Sequence, residues 1–393
     1  VVGCPCQYET YVVLVCAIAG LPNDARALYY LGNLPYDAQP AVSTSLWEKA
    51  ATLDPAFSIT WRNLAIAYQH TQIDNAQAKA IAAMESAVAS KNPYPSNFSE
   101  LDHLYQSANT PAQKRLAVLE KNQAVVVKND EALGSLINLK TFVGKAEEAI
   151  KFLQNRTVSV WEGGTPFNSG QAWADANMTL GLQRLNAKQY KEAITFFEAA
   201  VKPPENLRAE QRFDPRTALI SYWTGVAYAG MGDKVNAQKA WNEVINPTVV
   251  NLREGVAGGG TAAGGGMGPG GAAGARRTGA AAGGNTLAQG EQRYYQELAK
   301  QKLGNKAGTE EVFNELITSA TTALSQPAST NSDAIPQTGR RQQPGRSSAA
   351  TAHYNAGLGY VGLGNKAKAR EEFTAALSAS TDFLNAKLAL DQL

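Results

Sequence analysis

Few side chains in this sequence are of a type and spacing that could run a reaction. Three histidines are present, His70, His103 and His353, and none stands near a Cys or Ser in a context that makes a nucleophile. The three cysteines, Cys4, Cys6 and Cys16, bunch in the first twenty residues; an odd number at one end is no disulfide framework. Cys4 and Cys6 are one residue apart with no His nearby, which is not a zinc-ligand spacing, so no metal or other cofactor is expected. Glu147-Glu148 and Glu371-Glu372 are paired carboxylates, but neighbours on a helix point about 100° apart. A glycosidase dyad needs two carboxyls facing across a cleft. The glycine tract Gly255–Gly284 neither ends in Gly-Lys-Ser/Thr nor opens a helix after a strand, so it is no phosphate cradle. The expectation is a chain with no catalytic residues, not an enzyme.

Binding chemistry has better candidates. Trp161-Glu162-Gly163-Gly164 has two readings: Trp161 is an aromatic platform for sugar or peptide with Glu162 as acceptor, or it plugs a long connection that the glycines turn. Packing is the commoner fate of such an aromatic. Asn97-Phe98-Ser99, Asn155-Arg156-Thr157 and Asn177-Met178-Thr179 match the glycosylation acceptor pattern. Asn177 falls inside a helix, which leaves Asn97 and Asn155 as the glycosylation candidates.

These residues have to be carried by something, and the pattern that carries them is a repeat. The best unit runs Ser221-Tyr222-Trp223-Thr224-Gly225-Val226-Ala227-Tyr228, then Gly232-Asp233, then Ala237, Trp241 and Val244. His353, Ala356, Gly357, Tyr360, Asn365, Ala369, Phe373 and Ala376 repeat it at the same offsets. Small residues at the crossing of two helices let the pair pack closely, and each hairpin must stack on a neighbour to bury its remaining apolar face. Further copies start near Leu31-Gly32, Trp61, Leu101, Leu133, Leu180-Gly181 and Tyr295, giving seven or eight pairs. Asp382–Leu393 reads as a capping helix.

The predicted organisation is an apolar segment 1–20 packed on the first repeat, and an array of about six pairs over 21–250. A flexible Gly-rich insertion over 251–290 follows, then further pairs over 291–393 with a loop at 325–348. Tyr11–Gly20 is too short to span a bilayer; it is expected to be a buried strand or helix, the other reading being the remnant of a signal-peptide core. Net charge is +2 from 36 basic and 34 acidic residues, which argues against a nucleic-acid or anionic-membrane partner.

From about Leu21 to Leu393 the sequence resembles the tetratricopeptide-repeat (TPR) family. That resemblance implies an all-α, right-handed superhelical solenoid of antiparallel helix pairs with a concave face that binds peptide or protein. On that face Tyr29, Asn33, Arg62 and Gln69 are expected to be exposed partner-binding positions, together with Trp161 and Glu162. Trp161–Gly164, Pro204-Glu205-Asn206-Leu207, Tyr30–Asn33 and Leu46–Ala50 are similar to the repeat half of bacterial proteins with a galactose-mutarotase-like domain of unknown function. That likeness implies a link to carbohydrate, though no such β-rich domain lies in these residues. The expected function is a non-catalytic scaffold for protein–protein interaction. The alternatives are end-to-end self-assembly into a fibre, with a second copy of the chain as partner, or an accessory role in carbohydrate processing. The expected location leans to secreted or periplasmic over cytoplasmic.

Overall fold

A computed structural model describes residues 5–71, 74–158, 167–208, 216–246, 287, 289–326 and 348–393. Trp161, Glu162, nearly all of the 251–290 insertion and most of the 325–348 loop lie outside the described residues. Within them the chain is all-α with no strand, and its helices pack as consecutive antiparallel pairs. After α1 (Pro5–Gly20), six pairs follow: α2/α3 (Ala25–Asn33, Pro40–Leu53), α4/α5 (Ser58–His70, Ala76–Ala89), α6/α7 (Ser96–Ser107, Ala112–Lys121), α9/α10 (Asp130–Phe142, Ala146–Gln154), α11/α12 (Ser169–Asn186, Tyr190–Ala200) and α13/α14 (Thr217–Gly230, Lys234–Ile245). The short α8 (Gln123–Val126) bridges the third and fourth. Two more pairs, α15/α16 (Gly290–Lys302, Thr309–Leu324) and α17/α18 (Ser348–Gly362, Lys366–Ala379), precede the final helix α19 (Leu384–Asp391).

The glycine of each well-formed pair faces an aromatic ring rather than a bare backbone. A Cβ added at Gly32 would lie 2.5 Å from Trp47, at Gly181 2.3 Å from Phe197, at Gly225 2.4 Å from Trp241 and at Gly357 2.3 Å from Phe373. The ring of the second helix therefore lies directly against the first helix where it lacks a side chain. Two of these rings are also hydrogen-bonded: Trp47 Nε1 donates to Tyr29 O at 3.1 Å and Trp241 Nε1 to Tyr222 O at 3.2 Å.

The turns of the later pairs share one geometry. Gly232 and Gly364 sit at φ 80° and 77°, and the next residue's N–H reaches back five residues, Asp233 to Tyr228 O and Asn365 to Tyr360 O. This closes the helix end as a Schellman motif, which favours glycine because a left-handed backbone clashes with Cβ. Asp233 and Asn365 then cap the following helix through their own side chains.

Successive pairs are tied by a second regularity at a spacing of twenty. Tyr68 Oη donates to Glu48, Tyr105 Oη to Glu85 and Lys140 Nζ to Glu120, each joining the second helix of one pair to the first helix of the next. The first helices also pack on one another, α6 on α9, α9 on α11, α11 on α13, α13 on α15 and α15 on α17. They form the inner layer of the stack.

Two parts of the chain depart from the sequence reading. The N-terminal segment is a helix that meets α2, but among its described residues Val12, Val13 and Val15 are exposed, and Ile18 alone of these apolar side chains packs on the core. The Pro204–Leu207 motif is a structural staple. Asn206 Nδ2 donates to Leu153 O and Arg156 O, Leu207 is fully buried, and Ser169 Oγ donates to Leu207 O. It thereby ties the end of α10 to the start of α11.

Candidate functional site

The inner face carries a ladder of polar contacts between successive first helices. Asn63 Nδ2 donates to Asn33 Oδ1 at 3.1 Å, and Arg62 grips Glu100 with two bonds of 2.7 Å each. Ser99 Oγ donates to Glu131 at 3.2 Å. Each rung satisfies a polar group that the next pair would otherwise desolvate.

Of the positions expected to be exposed, Asn33 is exposed and Arg62 partly so, held by Glu100. Gln69 is half-buried, with its Oε1 lacking a hydrogen-bond partner among the described residues. Tyr29 is a correction. It is buried, with its ring edge-on to Phe57 at 5.1 Å, because the first residues of the next pair close over it. The same position recurs in Tyr222, covered by Tyr295, and in Tyr354, covered by Phe383. Asn97 is a second correction: it is fully buried and its Nδ2 donates to Ser58 Oγ at 2.9 Å, so the folded chain does not offer it to a glycosyl donor. Asn155 is exposed, with Nδ2 on Lys151 O. His353 pairs its Nδ1 with Glu372 at 2.8 Å rather than packing in the core.

The largest concentration of unusual chemistry was not expected. It lies where residues 380–393 run from the eighth pair to residues of earlier pairs, on their first helices and on α7. Thr381 Oγ1 donates to Thr110 O at 3.0 Å, and Asp382 accepts from Arg115 Nη1 at 2.8 Å. Arg115 is 1% exposed and also holds Asp102 with two bonds of 2.8 and 2.9 Å. Burial opposes its charge, but Asp102 and then Asp382 outweigh that and raise its pKa.

Further along, Asn385 Oδ1 accepts from Arg216 Nη1 at 2.8 Å and its Nδ2 donates to Glu291 at 2.9 Å. Arg216 also meets Asp175 at 3.1 Å and Glu291 at 3.3 Å, and Tyr354 Oη donates to Glu291 at 2.6 Å. Arg216 sits at φ 48°, a left-handed backbone for a residue with a Cβ, and such strain clusters at functional positions. Around this network lies a cavity of about 230 Å³ whose wall includes Tyr222, Trp223, Tyr294, Tyr295, Leu388 and Leu393. A second, of about 300 Å³, adjoins it along α19, shares Leu388 and Gln392 with it and is lined by Thr141, Thr179, Gln183, Asn186, Lys387 and Asp391.

Among the described residues, no group of three or more His, Cys, Asp or Glu could hold a metal ion. None of their helices is long and apolar enough to cross a membrane. The site combines an aromatic wall, two arginines with their charges matched, and space beside a helix. Sequence reasoning missed it because Arg115, Arg216 and Asp382 lie outside the repeat signature. The available signal was the polar Ser380-Thr381-Asp382 run ahead of an apolar-patterned tail.

The buried tyrosines give this wall a pH signature. Desolvation pushes the Tyr222 phenol up to about 12, and burial followed by the nearby Glu291 raises Tyr295 and Tyr354 further. A phenol with a raised folded pKa contributes stability that is complete below its unfolded value of about 10 and is lost as pH climbs through the folded value. Stability is expected to fall above pH ~10, by up to about 1.4 kcal/mol per pH unit for each such tyrosine. Urea titrations between pH 9 and 11 check this, with Tyr222→Phe expected to flatten the decline by about one proton. An unchanged slope would mean that the Tyr222 hydroxyl ionises freely in the fold.

No protein-family model matches the chain. Among solved structures it is similar to YrrB, described as a TPR protein with an unusual peptide-binding site, at 16% identity over 59% of this chain and 91% of that one, with a TM-score of 0.26. It is similar to the APC/C hetero-tetramer Cut9–Hcn1 at 16% identity over 60% of this chain and 42% of that one, TM-score 0.29. The complex of Naa15/Naa10 bound to HypK-THB matches at 11% identity over 94% of this chain and 58% of that one, TM-score 0.41. These likenesses are remote, and the site rests on the packing of this chain itself.

Proposed function

We propose that this chain is a non-catalytic scaffold that holds a segment of a partner protein against the inner layer of its first helices. One observation carries the reading: a peptide segment, residues 380–393, already lies along that face, held by Arg216 and an aromatic wall and, at its leading end, by Arg115 on α7. Backbone and side-chain contacts of this kind are how helix-in-groove recognition works. The test is selection of displayed random peptides on the full chain, with the selected sequences then measured by calorimetry. Gln183 and Asn186 are exposed groove residues, so Gln183→Arg combined with Asn186→Arg leaves the core untouched. Affinity is expected to drop at least tenfold in that variant with helicity retained, since arginine adds bulk and charge at the contact. Selected peptides that bind both forms equally would place the interaction elsewhere and defeat the reading.

A second reading, self-association, has one specific observation in its favour, the exposed Val12, Val13 and Val15 on α1 beside the first pair. Light scattering checks it: growth of mass with concentration that Val13→Lys abolishes supports it, and a monodisperse monomer counts against it.

A further inference from the structure

We infer that the groove's partner is a short helix-forming segment led by a carboxylate, and that residues 380–393 hold its place until it arrives. The inference rests on the scaffold reading above and names the chemistry of its partner.

The geometry of the tail separates it from an ordinary end-cap. A cap covers the apolar face of the last pair; this tail does that, with Phe383 on Tyr354 and α19 on α18, and in addition reaches residues of the third to seventh pairs, at Thr110, Arg115, Thr141, Gln183, Arg216 and Glu291. Its lead carboxylate, Asp382, takes the one Arg115 nitrogen that Asp102 leaves free, Nη1, while Asp102 keeps Nε and Nη2. Asn385, in the first turn of α19, bridges Arg216 and Glu291, and Leu388, nearly one helical turn further on, faces the aromatic cavity. A carboxylate in the turn ahead of the helix, followed by an amide and a leucine three residues apart on the helix itself, is a recognition pattern for the groove.

Withdrawal of the tail leaves no groove charge orphaned. Arg115 retains its two bonds to Asp102, and Arg216 retains Asp175 and Glu291. A buried ion deprived of every partner would lock the tail in place; here neither arginine depends on it. Two adjoining cavities remain beside α19, so the tail does not fill the space it occupies. A segment with larger side chains at the Leu388 position would pack better against Tyr222, Tyr294 and Tyr295. The groove is therefore complementary to a ligand bulkier than its own tail. Being tethered, the tail needs little intrinsic affinity to stay in place, since its effective concentration is high.

The experiment uses the full chain and a fluorescent peptide of residues 380–393, with an Asp382→Ala peptide as control. In the full chain, Asp382→Lys with Asn385→Ala sets a cation against Arg115 and removes the amide bridge, releasing the tail. The peptide is expected to bind this variant at least tenfold more tightly than the unmodified chain, and the control peptide at least tenfold more weakly. An independent measurement uses the unmodified chain: isotopically heavy peptide in excess is expected to speed hydrogen exchange of the 384–391 amides while α11 and α13 stay protected. If the peptide binds neither form, but displayed peptides still select on the groove, the tail is a fixed part of the fold and the inference is overturned while the scaffold reading stands. If nothing binds either form, both are overturned. Equal binding to both forms, with α19 protection unchanged by the peptide, also overturns the inference.

Discussion

Replacing Arg115 by Ala is expected to cost about 3–5 kcal/mol of stability, the largest single-residue effect in this chain. Asp102 is 1% exposed and takes two of its hydrogen bonds from Arg115, so removal of the cation strands a carboxylate in the interior. The remaining donor to Asp102, Gln106 Nε2 at 3.1 Å, is neutral and does not replace it. The cost comes from the stranded charge more than from the pair's own worth, and this gives a control. Arg115→Met combined with Asp102→Leu is expected to recover most of the loss, because well-packed apolar residues replace buried pairs at little net expense. Asp382→Ala, by contrast, is expected to cost no more than about 1 kcal/mol, since Asp382 is partly exposed and Arg115 keeps Asp102. Urea unfolding of the four proteins checks the order. A double variant no more stable than Arg115→Ala would show that the ion pair itself, not the orphaned carboxylate, holds the third pair together.

Gly225→Ala is expected to destabilise by about 1–3 kcal/mol, an overpacking penalty at a site where a single methyl group does not fit. The added Cβ would sit 2.4 Å from Trp241 Nε1 and 2.6 Å from Cδ1, and that ring is anchored by its bond to Tyr222 O. The ring can retreat only by breaking that bond and opening the pair. The exposed Gly20, with nothing near its Cβ position, is the control and is expected to tolerate alanine. Thermal melts of Gly225→Ala, Trp241→Leu and the double variant test the contact. The two losses are expected to be non-additive by more than 0.5 kcal/mol, because the smaller side chain makes room for the methyl. Strict additivity would mean that the glycine and the ring do not meet.

The same contacts show what the sequence could disclose. Gly225 with Trp241 and Gly357 with Phe373 are separated by sixteen residues within one hairpin, so the geometry that joins them is local and leaves a periodic trace. The ring-on-glycine detail is finer than that trace, which records only that one position is small and the other large. Tyr29 was placed on the exposed side because its own helix face says so; Phe57, which covers it, belongs to the next unit. The Glu48–Tyr68 and Glu85–Tyr105 links do have a readable spacing of twenty, but carboxylate and phenol are common enough that two copies stand out only once the pairs are stacked. The tail was beyond reach of any local pattern. Asp382 and Arg115 are 267 residues apart, and what brings them together is the accumulated curvature of six pairs, a sum of small rotations that no single repeat encodes.

Everything proposed for the groove depends on residues 380–393 lying against the third pair in solution. A cross-link measures that directly. In a chain with Cys4, Cys6 and Cys16 changed to Ser, Thr110→Cys and Thr381→Cys put two thiols at positions where Thr381 Oγ1 now lies 3.0 Å from the Thr110 carbonyl. A short bifunctional maleimide is expected to join them within one molecule, in a product that runs as a monomer and yields the linked peptides on digestion. Free thiols at both sites after prolonged treatment, with the helical content intact, would contradict the account.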